Sequence, residues 1–283
     1  MEKSIKKYWP VFVIPTFAAF IIGFAWPFLQ GLYLSFCQFI TIDRANFNGI
    51  ANYIYALTEE QFGYSFWFTS LFAIVSTLCI NIAGLAIALA LTRGIRGTNL
   101  FRSVFFMPNL IGGIVLGYIW NILLNCALTL LGKPLLSLHA PYGFIGLVIL
   151  MCWQQIGYMM IIYIAGLQAI PNDYLEAARI DGATEWQTLW KVKLPNLMPS
   201  ITICLFLSLT NGFKLFDQNL ALTGGDPAHA TEMLALNIYQ TFYGRSGPQW
   251  KGYGQAKAVI FCILVIVISL LQLRSTRSKE VQQ

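Results

Sequence analysis

The sequence predicts an all-α polytopic membrane protein with six transmembrane helices and a compact cytoplasmic helical connection between spans four and five. Of 283 residues, 57% are hydrophobic and only 11% are charged, with a mean hydropathy of +0.63. That lies well outside the composition of a soluble domain. Charge-free runs of 32 residues (61–92) and 30 residues (103–132) exceed the roughly 20 residues a helix needs to cross hydrocarbon. More than one such run exists, so a single apolar anchor does not explain the composition.

The first span covers residues 10–37. It follows Met1-Glu2-Lys3-Ser4-Ile5-Lys6-Lys7, and no further charge occurs before Asp43. The apolar part is too long for a signal-peptide core, so it reads as an uncleaved helix, kinked at Pro15 and Pro27. The further spans fall at 66–92, 104–125, 143–170, 197–220 and 256–273. The last has 16 uncharged residues between Lys257 and Arg274, whose side chains are expected to snorkel to the headgroups. The pair Gly84 and Ala88, and Gly113 with Gly117, have the spacing that lets helices approach closely, read first as packing within one bundle. The six cysteines are far apart without a C-x-x-C pair and read as small buried hydrophobes.

With six spans both termini share a side. Lys3, Lys6, Lys7, Arg93, Arg96, Arg102, Arg179, Lys191, Lys193, Arg274, Arg277 and Lys279 fall on that side, 12 of the 18 basic residues. The positive-inside rule therefore places both termini in the cytoplasm. The net charge of +6 is read as topology, and no long basic run suggests nucleic acid.

Several chemistries lack their residues. There is no G-x-x-x-x-G-K-[ST] phosphate loop, no H-E-x-x-H and no G-x-S-x-G, and His139 and His229 stand 90 residues apart. The spans hold almost no ionisable residues, which argues against an ion-coupled carrier. The near exceptions, Lys214 and Asp217, are spaced i to i+3 at the external end of span five, with Asn211 and Gln218 nearby. They read either as an ion pair at the membrane lip or as lining of a polar solute path. Trp153, Gln154, Gln155 and Tyr158 on span four offer the aromatic faces and amides that a sugar path needs, and helix packing explains them nearly as well.

Residues 171–195 are polar yet compact. Asp173 with Glu176, and Thr184 with Gln187, have capping-box spacing and predict two short helices. Gly182 supplies the turn, and Leu194-Pro195 is expected to stop the second helix. Ala177 and Ala178 are expected to offer a bare surface that another protein can approach. Pattern alone fits equally a rigid force-transmitting helix pair and a solvated connection between spans.

Glu176-Ala177-Ala178, Gly182 and Val192-Lys193-Leu194-Pro195 together resemble the EAA loop of bacterial ABC importer permeases, with Val192 where that family usually has Ile. Arg102-Ser-Val-Phe-Phe-Met-Pro108, Phe216-Asp217, the stretch 222–227, Thr231, Ile238-Tyr239 and 252–256 are similar to the maltose-type carbohydrate permeases. Asp226 departs from that subgroup's Gly-Gly-Pro. The first external loop, 43–65, leaves no room for the large extra domain that some of these permeases carry.

The resemblance implies a single permease domain, 1–283, with 171–195 as the coupling loop. Glu176, Ala177, Ala178, Arg179, Asp181, Gly182, Leu194 and Pro195 would form the ATPase-coupling interface. Trp153, Gln154, Tyr158, Asn211, Lys214, Asp217 and Gln218 are the substrate-path candidates. The implied partners are a second homologous permease, two ATP-binding subunits and an extracytoplasmic solute-binding protein, in the bacterial cytoplasmic membrane. ATP and Mg would be used by the ATPase, with no cofactor or metal bound by this chain. A sugar or oligosaccharide is the expected solute. A polyol, a glycerol phosphate or an amino acid remains open, and a secondary carrier or a membrane enzyme are the rivals from other classes.

Overall fold

The structure, a computed structural model, describes the backbone of residues 2–277 and the side chains of residues 9, 11 and 13–276. Among the charges used to orient the chain, the side chains of Lys3, Lys6, Lys7, Arg277 and Lys279 lie outside the described residues. In chain order the elements begin with α1 (Glu2–Phe20), α2 (Trp26–Leu34), strands β1 (Cys37–Phe39) and β2 (Ala45–Phe47), α3 (Ala51–Thr58) and α4 (Glu60–Leu91). Then come α5 (Thr98–Phe106), α6 (Gly113–Leu130), α7 (Ala140–Gln168), α8 (Asn172–Ile180), α9 (Glu185–Thr188) and α10 (Leu194–Asn196). The chain continues with α11 (Met198–Phe213), α12 (Asp217–Leu222), α13 (Leu234–Tyr243) and α14 (Pro248–Arg277). Among the described residues five helices are long and apolar enough to cross a membrane, and a sixth span arises if the pair 185–196 and 198–213, bent by 70°, is taken as one.

Proline effects explain two departures from the sequence expectation. Helix α1 runs through Pro15 unbroken, and the break falls at Ile21–Ala25, a single π turn. Pro27 has no N–H to give the carbonyl one turn earlier and its ring crowds that carbonyl. The wider turn, in which Trp26 N–H reaches Ile21 O, accommodates both. The first helical span ends at Leu34, and Cys37 already belongs to the hairpin. The third span likewise starts later than residue 104. Met107–Leu110 forms a 3₁₀ turn containing Pro108, and the crossing helix begins at Gly113.

Contacts divide the chain into two units. The first joins residues 1–60 to 238–262. Here the antiparallel hairpin pairs Cys37 with Phe47, and Asn52 Nδ2 donates to the carbonyls of Ser35 and Cys37, both at 2.9 Å. Tyr55 and Tyr253 stack at 4.0 Å. Lys257 is fully buried, so it does not snorkel as the sequence suggested. Its ammonium pairs with Glu59 and donates to Thr241 Oγ1 at 2.7 Å, while Arg245 reaches Glu59 at 3.5 Å and covers the Trp250 ring. Pairing and hydrogen bonding offset the desolvation that would otherwise keep this lysine at the surface.

The second unit, residues 61–237 with 263–283, has its apolar core on α4, α7 and α11, around Phe72, Ile80, Leu147, Met159, Tyr163 and Cys204. Small residues let these helices close up. A Cβ on Gly212 would sit 3.1 Å from the Cα of Ala73, and one on Gly84 would touch Met159. Gly113 and Gly117 face α12 of the same chain, where added Cβ atoms would meet Asp217 and Ala221 at 2.7 and 2.5 Å. A buried polar knot pins the three core helices in register. Asn81 Nδ2 donates to Ser208 Oγ at 2.8 Å, and the Tyr163 hydroxyl donates to Asn81 Oδ1 at 2.7 Å. Of the six cysteines, all free, only Cys37 and Cys204 are buried, and Cys79 and Cys126 are exposed on apolar helices. Apolar surroundings in a bilayer do not require burial inside the protein.

Candidate functional site: a helix pair and a polar cavity

Local sequence builds the helix pair. Helix α8 ends in a Schellman motif: Gly182, at φ +73°, donates to Arg179 O at 3.1 Å, and Ala183 N–H donates to Ala178 O at 2.9 Å. Thr184 then caps α9 in a capping box. Its Oγ1 accepts from Gln187 N–H at 3.3 Å, and Gln187 Oε1 accepts from Thr184 N–H at 2.8 Å. The matching box expected at Asp173 and Glu176 is absent. Pro171 occupies the N-cap without a side-chain bond, and Asp173 instead places its charge in the first turn of α8.

Glu176, Ala177, Arg179, Asp181 and Gly182 are exposed. Ala178 is only 8% exposed and faces its own chain, so one alanine rather than two presents a bare surface. Leu194 and Pro195 are half-buried and do not stop the helix. The chain stays helical from Glu185 to Asn196 and bends by 70° at Leu197; a π turn over Leu189–Lys193, in which Leu194 N–H reaches Leu189 O, precedes Pro195 and accommodates its missing N–H. A cavity of about 600 Å³ opens beside Ala177, Asp181, Gly182, Gln187, Lys191 and Val192. Around it Ile180 is 87% and Trp186 67% exposed, an unusual apolar display on a polar connection.

The second feature is a cavity of about 270 Å³ where α7, α11 and α12 meet, lined in part by Met151, Gln155, Asn211, Lys214, Asp217 and Gln218. Helix α11 stops at Phe213, so Lys214 and Asp217 do not share a helix as the sequence suggested. Among the described residues they form no ion pair with each other. Asn211 Nδ2 donates to Gln155 Oε1 at 3.4 Å. Gln218 Nε2 donates to Gln154 Oε1 at 2.7 Å, and Gln154, itself buried, donates to Ile111 O at 3.2 Å. Amides and charges thus converge on one small polar chamber. Trp153 turns away to meet Trp120 edge-on at 5.6 Å, and Tyr158 lies near Phe106, so neither lines the chamber. No group of three His, Cys, Asp or Glu among the described residues could hold a metal ion.

A family model described as the binding-protein-dependent transport system inner membrane component matches residues 80–280. The chain belongs to that family. Among similar permeases is the probable starch degradation products transport system permease protein AmyD of Thermoanaerobacterium thermosulfurigenes, 42% identical over 97% of this chain and 95% of that one. The multiple sugar-binding transport system permease protein MsmF of Streptococcus mutans is 32% identical over 99% of both chains. A crystal structure of a bacterial ABC transporter that imports the acidic polysaccharide alginate has a chain with the same fold, at a TM-score of 0.80 and 20% identity over 98% of both chains.

Some organising residues of this permease carry no sequence signal beyond a polar letter in an apolar run. Asn219 is fully buried and donates to Thr223 Oγ1 and Thr231 O at 2.9 and 2.8 Å, while its Oδ1 accepts from Met233 N–H at 3.0 Å. It shapes the loop that contains Asp226. That residue is itself exposed, and its backbone carbonyl accepts from Thr231. Leu215 and Phe216 line the polar chamber because the chain breaks between α11 and α12, at Lys214–Phe216.

Proposed function

We propose that this permease is one of two membrane subunits of an ATP-driven importer for a sugar or oligosaccharide. In this reading an extracytoplasmic binding protein delivers the solute, both termini lie in the cytoplasm, and two ATPase subunits hydrolyse MgATP. The chain itself performs no chemistry. The helix pair α8–α9 docks on an ATPase subunit through Glu176, Ala177, Arg179, Asp181 and Gly182, with Ile180 and Trp186 burying apolar surface there. Its partner subunit's closure biases two packings of the helices.

The observation that carries the solute class is the 42% identity, over nearly the full chain, to a permease for starch degradation products. The chamber supports it. Gln155, Asn211 and Gln218 offer neutral donors and acceptors suited to hydroxyl groups, with Lys214 as its one lining cation. An anionic solute calls for a cluster of cations.

The test is uptake into proteoliposomes holding the complete importer with its binding protein, comparing a malto-oligosaccharide with glycerol 3-phosphate. ATP-dependent uptake of the first alone is expected. Preference for the second overturns the solute class. Uptake that survives without ATP but collapses with the ion gradient overturns the importer reading.

A further inference from the structure

A cavity lined by two cations belongs to neither feature above. A cavity of about 460 Å³ is walled by Thr92, Thr98, Asn99, Arg102, Asn172 and Lys193, among others, and no Asp or Glu lines it. Arg102 Nε is buried without a hydrogen-bond partner. Among the described residues neither Arg102 nor Lys193 pairs with a carboxylate. Helix α5 starts at this wall, and its N-cap, Gly97, has no side chain to satisfy the first-turn amides. Two positive charges with an orphaned guanidinium nitrogen, in a partly enclosed space, call for an anion with several acceptor oxygens.

A second cavity, of about 290 Å³, shares Arg102 and Gln168 with the first, but its remaining wall is mostly apolar: Phe106, Ile161, Ile164 and Ala165. The outer face of α5 is apolar too, with Leu100, Phe101, Val104 and Phe105 all exposed. The two cavities meet at Arg102 and Gln168, and a polar chamber beside an apolar one fits an amphiphile better than a free ion.

We infer that this double cavity binds an anionic phospholipid, the phosphodiester between Arg102 and Lys193 and the first part of an acyl chain along Phe106 and Ile161. Charge selects the headgroup. A phosphodiester against two cations leaves one positive charge uncompensated, which a neutral headgroup such as glycerol tolerates and which choline, adding a third cation, does not. Naming the leaflet as cytoplasmic rests on the orientation proposed above, and protease access to the C-terminus in sealed vesicles tests that separately from lipid binding.

The experiment is native mass spectrometry of the complete importer, purified in mild detergent from nanodiscs containing phosphatidylglycerol and phosphatidylcholine. The unmodified complex is compared with Arg102→Gln/Lys193→Gln. Each cation near an anionic lipid is worth about fivefold in affinity, so retention of phosphatidylglycerol is expected to fall about thirtyfold in the double variant. Equal retention by the two complexes overturns the inference, as does equal retention of both lipids. Displacement of the lipid by millimolar inorganic phosphate assigns the cavity to a free ion and overturns it too. If the variant loses its ATPase subunits while keeping the lipid, the two cations serve that interface and the inference fails. A photoactivatable phosphatidylglycerol on the unmodified complex stands in where the variant does not assemble. Adducts are expected within 98–106 and 161–168, and labelling no stronger than by the phosphatidylcholine analogue overturns the assignment.

Discussion

Gly182→Val isolates backbone conformation from packing. At φ +73° a side chain meets nothing within 4 Å, so the substitution introduces no clash. The cost is conformational: an L-residue pays about 1–2 kcal/mol in the left-handed region, and a β-branched one sits at the upper end. That lowers the population of the native turn about 5–30-fold. The Schellman bonds from Gly182 and Ala183 weaken, and the capping box at Thr184 no longer starts α9 in a fixed direction from α8. Gly182→Asn is the companion variant, since asparagine visits this region at little cost. The assay is solute taken up per ATP hydrolysed in proteoliposomes, together with the amount of ATPase subunit that co-purifies. Gly182→Val is expected to lose about tenfold in one or both, within the population shift above, and Gly182→Asn to stay close to the native values. If valine behaves as glycine does, the turn does not hold the docking geometry. If asparagine fails as badly as valine, the position needs a missing side chain against a partner and not a positive φ.

Gly157 lies where α5 crosses α7, and a Cβ there would stand 1.8 Å from the Phe105 carbonyl oxygen. Relief to an ordinary separation of about 3.3 Å requires the helices to part by about 1.5 Å. Gly157→Ala should therefore cost the 1–3 kcal/mol typical of overpacking, or about 2–12 °C in thermal midpoint. Gly63→Ala, with open space around the site, should be neutral or slightly stabilising; equal midpoints for the two variants would contradict the crossing. Lys257→Met leaves the largely buried Glu59, its side chain 13% exposed, with only the more distant Arg245, and should cost about 3 kcal/mol. Adding Glu59→Gln should recover most of that loss, and a double variant as unstable as the single would show that the charge pairing is not the cause.

Apolar runs longer than a bilayer is thick have essentially one stable conformation in lipid, which is why the spans were legible in composition alone. The segment 171–195 was legible because its turn and cap use residues with few alternatives: Gly182 for a positive φ, and Thr184 with Gln187 for a capping box. Asp173 and Glu176 showed the same spacing without the bond, since spacing does not fix whether a side chain turns back to its own amide. Hydropathy also averaged across the ends of α5 and α11, where the chain turns without a long polar stretch, and so merged separate pieces into single spans. The polar chamber was half legible. Asn211, Lys214, Asp217 and Gln218 converge there, while Trp153 and Tyr158 leave it, because period alone does not say which face of α7 meets which neighbour. Lys257 read as a membrane-edge cation since its partner Glu59 is almost 200 residues away in the chain.

The 70° bend at Leu197 gives the permease an angled rod. Its pivot is tight: a Cβ on Gly166 would lie 2.2 Å from Ser200 Oγ and 2.9 Å from the side chain of Leu197. With the arms nearer perpendicular than parallel, a thrust along 185–196 projects only weakly onto the axis of α11. Most of such a thrust would be directed across α11, where Gly166 packs against Leu197 and Ser200. The far end of α11, 16 residues on and about 24 Å away, carries Asn211 and opens onto the polar chamber. If an ATPase subunit docks on this connection as proposed, a push there would act on the chamber by leverage instead of by a piston stroke.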